Sequence, residues 1–361
     1  MSIDSEQAKA ALAGVVDSET GTDLVSSRSV KSLTAQAGRV EVEIELAYPA
    51  RSRFGIIREA AEAALRAAGA SEVRVGVSSR IVAHTVQRGL KVMPNVRNMV
   101  AVASGKGGVG KSTVAANLAL ALAAEGATVG MLDADIYGPS QPTMLGIRGQ
   151  PTSSDGKSFD PLEGHGIQVI SIGFLVDVDQ PMVWRGPMVT SALQQLLTLT
   201  NWRDLDYLVI DMPPGTGDIQ LTLSQQVPLT GALIVTTPQD IALLDAMKGV
   251  RMFEKVGVPI LGLVENMATH ICSKCGHEEH IFGEGGAQKM AEKFGTEVLG
   301  RLPLDIRIRE HADGGNPTVV AEPGSELALA YMAIARRVAI RIAARAKDLS
   351  SKLPSIKVTN T

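Results

Sequence analysis

A glycine-rich segment constrains this chain more than any other. Residues 105–112 read GKGGVGKS and match the phosphate-binding P-loop pattern at every fixed position. An apolar run at 99–103 precedes the segment, and a stretch of helical composition at 112–124 follows it. A loop between a strand and a helix lets several backbone N–H groups turn towards an anion. The context and the Lys-Ser pair argue against a glycine-rich turn that binds nothing.

The loop predicts a role for individual side chains. Lys111 is expected to reach the β- and γ-phosphates, and the Ser112 hydroxyl to ligate Mg²⁺. The Thr113 hydroxyl is placed to meet the α-phosphate. The residues of this segment expected to contact ATP are Gly105, Lys106, Gly107, Gly108, Val109, Gly110, Lys111, Ser112 and Thr113.

Acidic residues end two further apolar runs. The run at 208–210 ends in Asp211, the arrangement in which a Walker B carboxylate holds the Mg²⁺ shell. Residues 213–218, PPGTGD, follow and suit a switch loop that responds to hydrolysis. The run at 131–132 ends in Asp133, with Asp135 two residues later. Acids at strand ends are common, but beside a complete P-loop they predict a metal and nucleotide site.

The apolar runs also predict the fold. Runs at 99–103, 129–132, 207–210, 232–235 and 260–264 alternate with helical stretches such as 241–255. Such runs suit strands buried on both faces of a parallel sheet, and the alternation is typical of a doubly wound α/β domain. A final helix is predicted at 326–347. We therefore expect a P-loop NTPase domain with a mostly parallel sheet at 98–347, followed by a tail at 348–361.

A small α+β domain is predicted before it, at 1–85. Residues 6–16 have helical character, and the segment 39–46 alternates apolar residues with glutamates, which indicates a half-buried strand. Residues 55–68 have helical composition, and alternating valines at 73–77 indicate a second strand. The basic segment 86–97, with glycine and proline, is predicted to be a linker.

Composition limits the class of protein. The chain has 361 residues, a net charge of −3, and no apolar signal-peptide run near Met1. We therefore expect a cytoplasmic protein without nucleic-acid or membrane partners. Its two cysteines do not suit a secreted disulfide framework.

Cys272 and Cys275, both in the sequence CSKC, predict soft-metal binding. A [4Fe–4S] cluster normally needs four cysteines, which a symmetric dimer supplies from one such motif. Zinc bound within one chain, with His277 and His280 as further ligands, is an alternative. A thioredoxin-like redox pair and a plain exposed turn are two others.

Several motifs together resemble the Mrp/ApbC group of iron–sulfur cluster carriers, within the SIMIBI class of deviant Walker A ATPases. The matching segments are SGKGGVGKST (104–113), LDADIYGPS (132–140), WRGPM (184–188), IDMPPGTGD (210–218), ENM (265–267), CSKCG (272–276), IFG (281–283) and PLD (303–305). The segment DSETG (17–21) resembles the small domain of iron–sulfur assembly factors. The chain departs from the usual pattern in having Ser18 and Ser273 where relatives often have proline.

The resemblance implies a homodimer in which Lys106 crosses to the partner's nucleotide. It also implies that Asp135 orients the attacking water and that the Asn266 amide reads adenine. The cofactors implied are ATP, Mg²⁺ and a [4Fe–4S] cluster held by Cys272 and Cys275 at the dimer interface. Slow ATP hydrolysis would accompany transfer of the cluster to apo iron–sulfur proteins, with an assembly scaffold as a possible donor. A positioning ATPase like MinD or ParA, and a zinc-binding ATPase with another client, are the alternatives.

Overall fold

A computed structural model describes residues 3–87, 89–175, 186–272 and 274–347. The predicted tail at 348–361, Arg88 of the predicted linker, Trp184, Arg185 and Ser273 lie outside the described residues. The elements of the N-terminal part are α1 (Ser5–Leu12), β1 (Val16–Asp17), β2 (Thr22–Asp23), β3 (Val30–Gln36), β4 (Arg39–Leu46), α2 (Phe54–Ala67) and β5 (Glu72–Ser79).

The N-terminal part is built on a three-stranded sheet in the order β3-β4-β5. Strands β3 and β4 are antiparallel, whereas β4 and β5 are parallel and are connected through α2. Val40, Val42, Ile44 and Leu46 of β4 are buried, with at most 2% of each residue exposed. The alternating pattern therefore predicted this strand and its buried face correctly.

Two predicted helices are too long. The first ends at Leu12 rather than 16, because the chain turns at Gly14 and Val16 pairs with Asp23 across a short hairpin. The last helix ends at Ala343 rather than 347. There the Thr85 N–H donates to the Ala346 carbonyl, and Lys347 pairs with His84, so the backbone bonds to another segment instead of continuing the helix.

The C-terminal part begins with a strand at Val96. Short 3₁₀ helices lie at Arg51–Arg53, in the N-terminal part, and at Ile172–Phe174. The elements from Val96 onwards are β6 (Val96–Ala103), α3 (Lys111–Ala124), β7 (Val129–Asp133), α4 (Gln141–Met144), β8 (Leu162–Gly164), β9 (Ile167–Ser171), α5 (Gly186–Thr198), β10 (Leu205–Asp211), α6 (Asp218–Gln226), β11 (Gly231–Thr236), α7 (Asp240–Lys255), β12 (Ile260–Glu265), β13 (His270–Ile271), β14 (Glu278–Glu279), α8 (Gly286–Phe294), β15 (Val298–Arg301), α9 (Ile306–Asp313), α10 (Thr318–Ala321) and α11 (Glu326–Ala343).

Eight strands form one sheet in the order β15-β12-β11-β6-β10-β7-β9-β8. Neighbouring strands are parallel except for β8, which runs antiparallel to β9 at one edge. Alternate residues of β6 belong to two separate cores, Val100 and Val102 with α3 and α11, and Met99 and Ala101 with α5 and α7. The predicted doubly wound, mostly parallel sheet is therefore confirmed. Within the described ranges, every helix is too short or too polar to cross a membrane.

The two parts of the chain meet at a buried group of charges. Glu125 caps the C-terminal end of α3, the helix that follows the P-loop, and its side chain is fully buried. The Ser52 hydroxyl and N–H donate to this carboxylate at 2.7 and 2.9 Å, and Arg336 of α11 donates at 2.6 Å. Arg336 also lies 3.0 Å from Glu19, in the DSETG segment. One guanidinium thus joins carboxylates from both parts.

Arg336→Met is expected to destabilise the fold by about 3 kcal/mol, because it leaves the fully buried Glu125 carboxylate without a cation. Arg341→Met is the matched control on the same helix. Arg341 pairs with Glu297, whose side chain is 63% exposed, so its loss is expected to cost about 0–1 kcal/mol. Urea unfolding of the two variants measures the difference. Equal midpoints would show that the group of charges does not stabilise the contact between the two parts.

Candidate functional site

The P-loop lies between β6 and α3, at the carboxyl end of the central strand. Gly110 has φ +80°, and a Cβ there would lie 2.2 Å from the Asn266 amide nitrogen, so only glycine fits. A Cβ on Gly105 would lie 2.1 Å from the Asp245 backbone of α7. Within the described ranges, no protein group accepts a hydrogen bond from the N–H groups of 106–113. These free donors at a helix start fit a phosphate chain.

Lys111 and Asp211 form a buried ion pair beside this loop. Lys111 is 6% exposed, and its ammonium donates to Asp211 Oδ1 and lies 3.1 Å from Ser112 Oγ. The Asp211 side chain is fully buried at the end of β10. The lysine thus neutralises the charge of the buried carboxylate. The same three side chains offer a cation for phosphate, and a hydroxyl and a carboxylate for Mg²⁺.

Asp133 and Asp135 follow the neighbouring strand β7. Asp133 is level with Asp211 in the sheet and is fully buried. Burial, and next the negative charge of Asp211, raise the pKa of Asp133 to about 7. Burial also raises the pKa of Asp135, while the positive charge of Lys111 opposes that shift. Asp135 is half-buried, and its N–H donates to Asp133 Oδ1 at 3.2 Å. A carboxylate with a raised pKa beside the P-loop is suited to orient a water.

Two polar side chains in this group were missed in the sequence. Gln141 directly follows the YGPS segment, and its side chain contacts both Ser112 and Asp211. The Ser171 hydroxyl, from β9, donates to Asp133 at 3.0 Å. Gln141 could have been found from its place next to a recognised motif, whereas Ser171 carries no local signal.

Asn266 lies directly on the P-loop. Its amide donates to the Val109 carbonyl at 2.9 Å, and the residue is 7% exposed. The preceding Glu265 is also buried and binds the Ala287 N–H of α8 and Arg301 of β15. The predicted contact of Asn266 with adenine stays a prediction. In the structure, the Asn266 side chain links the end of β12 to the phosphate loop.

Lys106 is half-buried at the start of the loop. Its carbonyl accepts a hydrogen bond from the Ser104 hydroxyl at 2.8 Å, which holds its backbone. Its ammonium forms no ion pair with any residue that the structure describes. Within the described part of its own chain, the Lys106 ammonium therefore has no carboxylate that would hold it in place.

The two cysteines lie on a separate hairpin, between β13 and β14. Both thiols are free, Cys272 half-buried and Cys275 exposed. The Cys272 N–H donates to the His277 carbonyl at 2.9 Å, and the Gly276 N–H donates to the Cys272 carbonyl at 2.8 Å. The backbone N–H groups of Lys274 and Cys275 lower the pKa of the Cys272 thiol. The turn therefore favours the thiolate form that binds soft metals.

Two of the three histidines near this hairpin have ring nitrogens close to backbone carbonyls. His270 Nδ1 lies 3.1 Å from the Leu304 carbonyl, and His280 Nδ1 lies 3.2 Å from the Ala268 carbonyl. Across the residues described, no three His, Cys, Asp or Glu side chains are arranged to hold one metal ion. Cys272, Cys275, His277 and His280 are therefore not brought together as one tetrahedral set.

Comparison with known proteins agrees with this geometry. A family model described as NUBPL iron-transfer P-loop NTPase matches residues 95–339. A second, described as iron-sulfur cluster assembly protein, matches residues 5–78. The chain is 62% identical over 269 residues to an iron-sulfur cluster carrier protein of Pseudomonas fragi, covering 74% of this chain and 94% of that relative.

Two further matches extend the comparison. The chain is 56% identical over 305 residues to the iron-sulfur cluster carrier protein of Escherichia coli strain K12, covering 84% of this chain and 83% of the relative. A solved nucleotide-binding protein in complex with ADP from Archaeoglobus fulgidus is 38% identical, with a TM-score of 0.57, over 64% of this chain and 91% of that chain. The resemblance inferred from the motifs is thereby confirmed. The chain belongs to the NUBPL iron-transfer P-loop NTPase family, with an iron–sulfur cluster assembly domain preceding the NTPase domain.

Proposed function

We propose that this chain is a slow ATPase that binds one [4Fe–4S] cluster per homodimer and transfers it to apo-proteins. The free cysteine pair on the β13–β14 hairpin carries this proposal. One chain offers two thiolates and the cluster needs four ligands, so two copies of the hairpin complete the set. A cluster held in each chain by the exposed Cys275 and the half-buried Cys272 stays open to ligand exchange with a client's thiolates.

The route from the nucleotide to the cysteines is short. Asn266 binds the Val109 carbonyl of the P-loop, and only five residues separate it from Cys272. Between them, the Ala268 N–H donates to the Leu302 carbonyl and the Leu304 N–H donates to the Thr269 carbonyl. A shift of the phosphate loop can therefore reach the cluster hairpin through this segment. That link supports nucleotide control of cluster binding or release.

The charged and polar residues around the P-loop support ATP hydrolysis. Lys111 leaves Asp211 and binds the phosphates of ATP, while the N–H groups of the loop hold the phosphate oxygens. Ser112 and Asp211 would hold Mg²⁺, which would supply positive charge to offset the charge on the phosphates. Asp135 orients the attacking water, and its raised pKa suits it to accept a proton.

Anaerobic reconstitution with iron and sulfide tests the carrier proposal. About four irons per two chains are expected, together with a dimer mass. Incubation with an apo iron–sulfur protein should then move the cluster and restore that client's absorbance. A protein that stays colourless, or that holds one zinc per monomer, would contradict the proposal and favour a zinc-binding ATPase.

Lys106 is proposed to act on the nucleotide of the partner subunit. Lys106→Ala and Asp135→Ala are each expected to hydrolyse ATP poorly. In a mixed dimer both defects fall in one site, and the other site has its own Asp135 and the partner's lysine. Mixing equal amounts should restore about a quarter of wild-type turnover, because about half the dimers are mixed and each has one intact site. If no mixing ratio restores any activity, Lys106 does not act in trans.

A further inference from the structure

Gln141 is fully buried between the P-loop helix and the two acidic strand ends. Its side-chain NH₂ donates to the Ser112 carbonyl at 3.0 Å and to Asp211 Oδ2 at 2.9 Å. Its backbone N–H donates to Asp133 Oδ2 at 3.1 Å. The NH₂ group faces two acceptors, the Ser112 backbone carbonyl and the Asp211 carboxylate, so these contacts determine which way the amide is oriented. One residue thus connects α3, β7 and β10.

The two oxygens of Asp211 have different partners. Oδ1 pairs with Lys111, and Oδ2 accepts the hydrogen bond from Gln141. When Lys111 turns to the phosphates, Oδ1 is released while the Gln141 contact to Oδ2 can persist. A carboxylate held at one oxygen keeps its other oxygen in a defined direction. The buried Gln141 Oε1 also has no protein partner among the described residues, which leaves one acceptor open beside this group.

We propose that Gln141 is a positioning residue for the magnesium–nucleotide complex. It holds Asp211 through Oδ2, so that Oδ1 would be available to a magnesium ion once Lys111 has moved. The proposal rests on the proposed nucleotide-dependent function, because it concerns the same P-loop site. Residues that orient a metal-binding side chain typically contribute about 10- to 100-fold to metal affinity.

Gln87 provides a matched control elsewhere in the fold. It is 7% exposed, and its NH₂ donates to the Ser224 carbonyl at 2.8 Å and the Val227 carbonyl at 3.1 Å. Its Oε1, like that of Gln141, has no partner in the described part of the chain. Gln87→Met and Gln141→Met therefore remove the same kind of buried amide, and only one of the two amides touches Asp211.

Calorimetric titration with ADP, in excess Mg²⁺ and again in EDTA, tests the proposal on the full chain. For Gln141→Met we expect affinity in Mg²⁺ to fall about 10-fold, with affinity in EDTA nearly unchanged. Gln87→Met should leave both values at the wild-type level. Gln141→Asn, whose shorter side chain keeps an amide but shifts it from Asp211, should lose the same Mg²⁺-dependent part and provides a second test if the Met variant does not fold.

The outcomes separate two failures. If the wild-type protein binds ADP no more tightly with Mg²⁺ than without it, the proposed nucleotide function itself is contradicted at this site. If the wild type shows the Mg²⁺ effect and both folded Gln141 variants keep it, the positioning role alone is overturned. Equal losses in Mg²⁺ and in EDTA would also overturn it, since they would show a general structural effect.

Discussion

Replacing Lys111 with alanine is expected to lower ATP turnover by about 100-fold or more, the loss typical when a group that stabilises developing charge is removed. Lys111 is the buried cation of the P-loop, and its ammonium lies on Asp211 and near Ser112, at the predicted Mg²⁺ site. No other side chain of the loop pairs with Asp211, so the variant has no positive charge at this position. The measurement is steady-state phosphate release at saturating ATP and Mg²⁺.

The substitution also removes the cation that neutralises Asp211. A fully buried carboxylate left alone costs about 3–5 kcal/mol, so Lys111→Ala can lose activity through folding as well as through chemistry. Combining it with Asp211→Asn removes the uncompensated charge. The double variant should recover stability against urea but not turnover. Recovery of turnover in the double variant would contradict the assignment of both Lys111 and Asp211 to the nucleotide site.

Lys255→Ala is the control for loss of a lysine in general. Lys255 is exposed at the last residue of α7, outside the phosphate loop. Its replacement should leave both turnover and the unfolding midpoint close to those of the wild type. Wild-type turnover in Lys111→Ala itself would refute the site assignment.

Replacing either cysteine with serine is expected to abolish stable cluster binding. In a symmetric dimer, one substitution removes two of four thiolates, and a serine hydroxyl does not act as a soft ligand. Iron in the reconstituted protein should fall from about four per two chains to a trace, and the visible absorbance should disappear. ADP binding should stay unchanged, because the hairpin lies outside the P-loop.

Three variants serve as controls for the cysteine substitutions. Lys274→Ala changes the residue beside Cys275 but keeps the backbone N–H that lowers the pKa of Cys272, so iron content should hold. His277→Ala and His280→Ala should also retain iron, since neither is needed in a four-cysteine dimer. Loss of metal in the histidine variants, with one zinc per monomer in the wild type, would show the single-chain zinc site instead.

Much of the NTPase domain could be predicted because its signals are local. The strand before the P-loop, the loop itself and the helix after it are contiguous, and each apolar run marked a strand of the parallel sheet. Asp211 was recognisable because it ends such a run. The ends of helices were predicted less well, because they depend on contacts with distant segments. The last helix ends at Ala343 because the backbone after it pairs with His84 and Thr85.

The sequence alone therefore determined the fold class, the phosphate loop and the cysteine pair, since residues close along the chain form each of them. Only the tertiary structure revealed that Gln141 binds Asp211, 70 residues away, and that Asn266 binds the Val109 carbonyl, 157 residues away. It also revealed that Arg336 joins Glu19 to Glu125 across the two parts of the chain. Such contacts depend on the order of the strands in the sheet and on the packing of the helices, and neither can be read from a local sequence pattern.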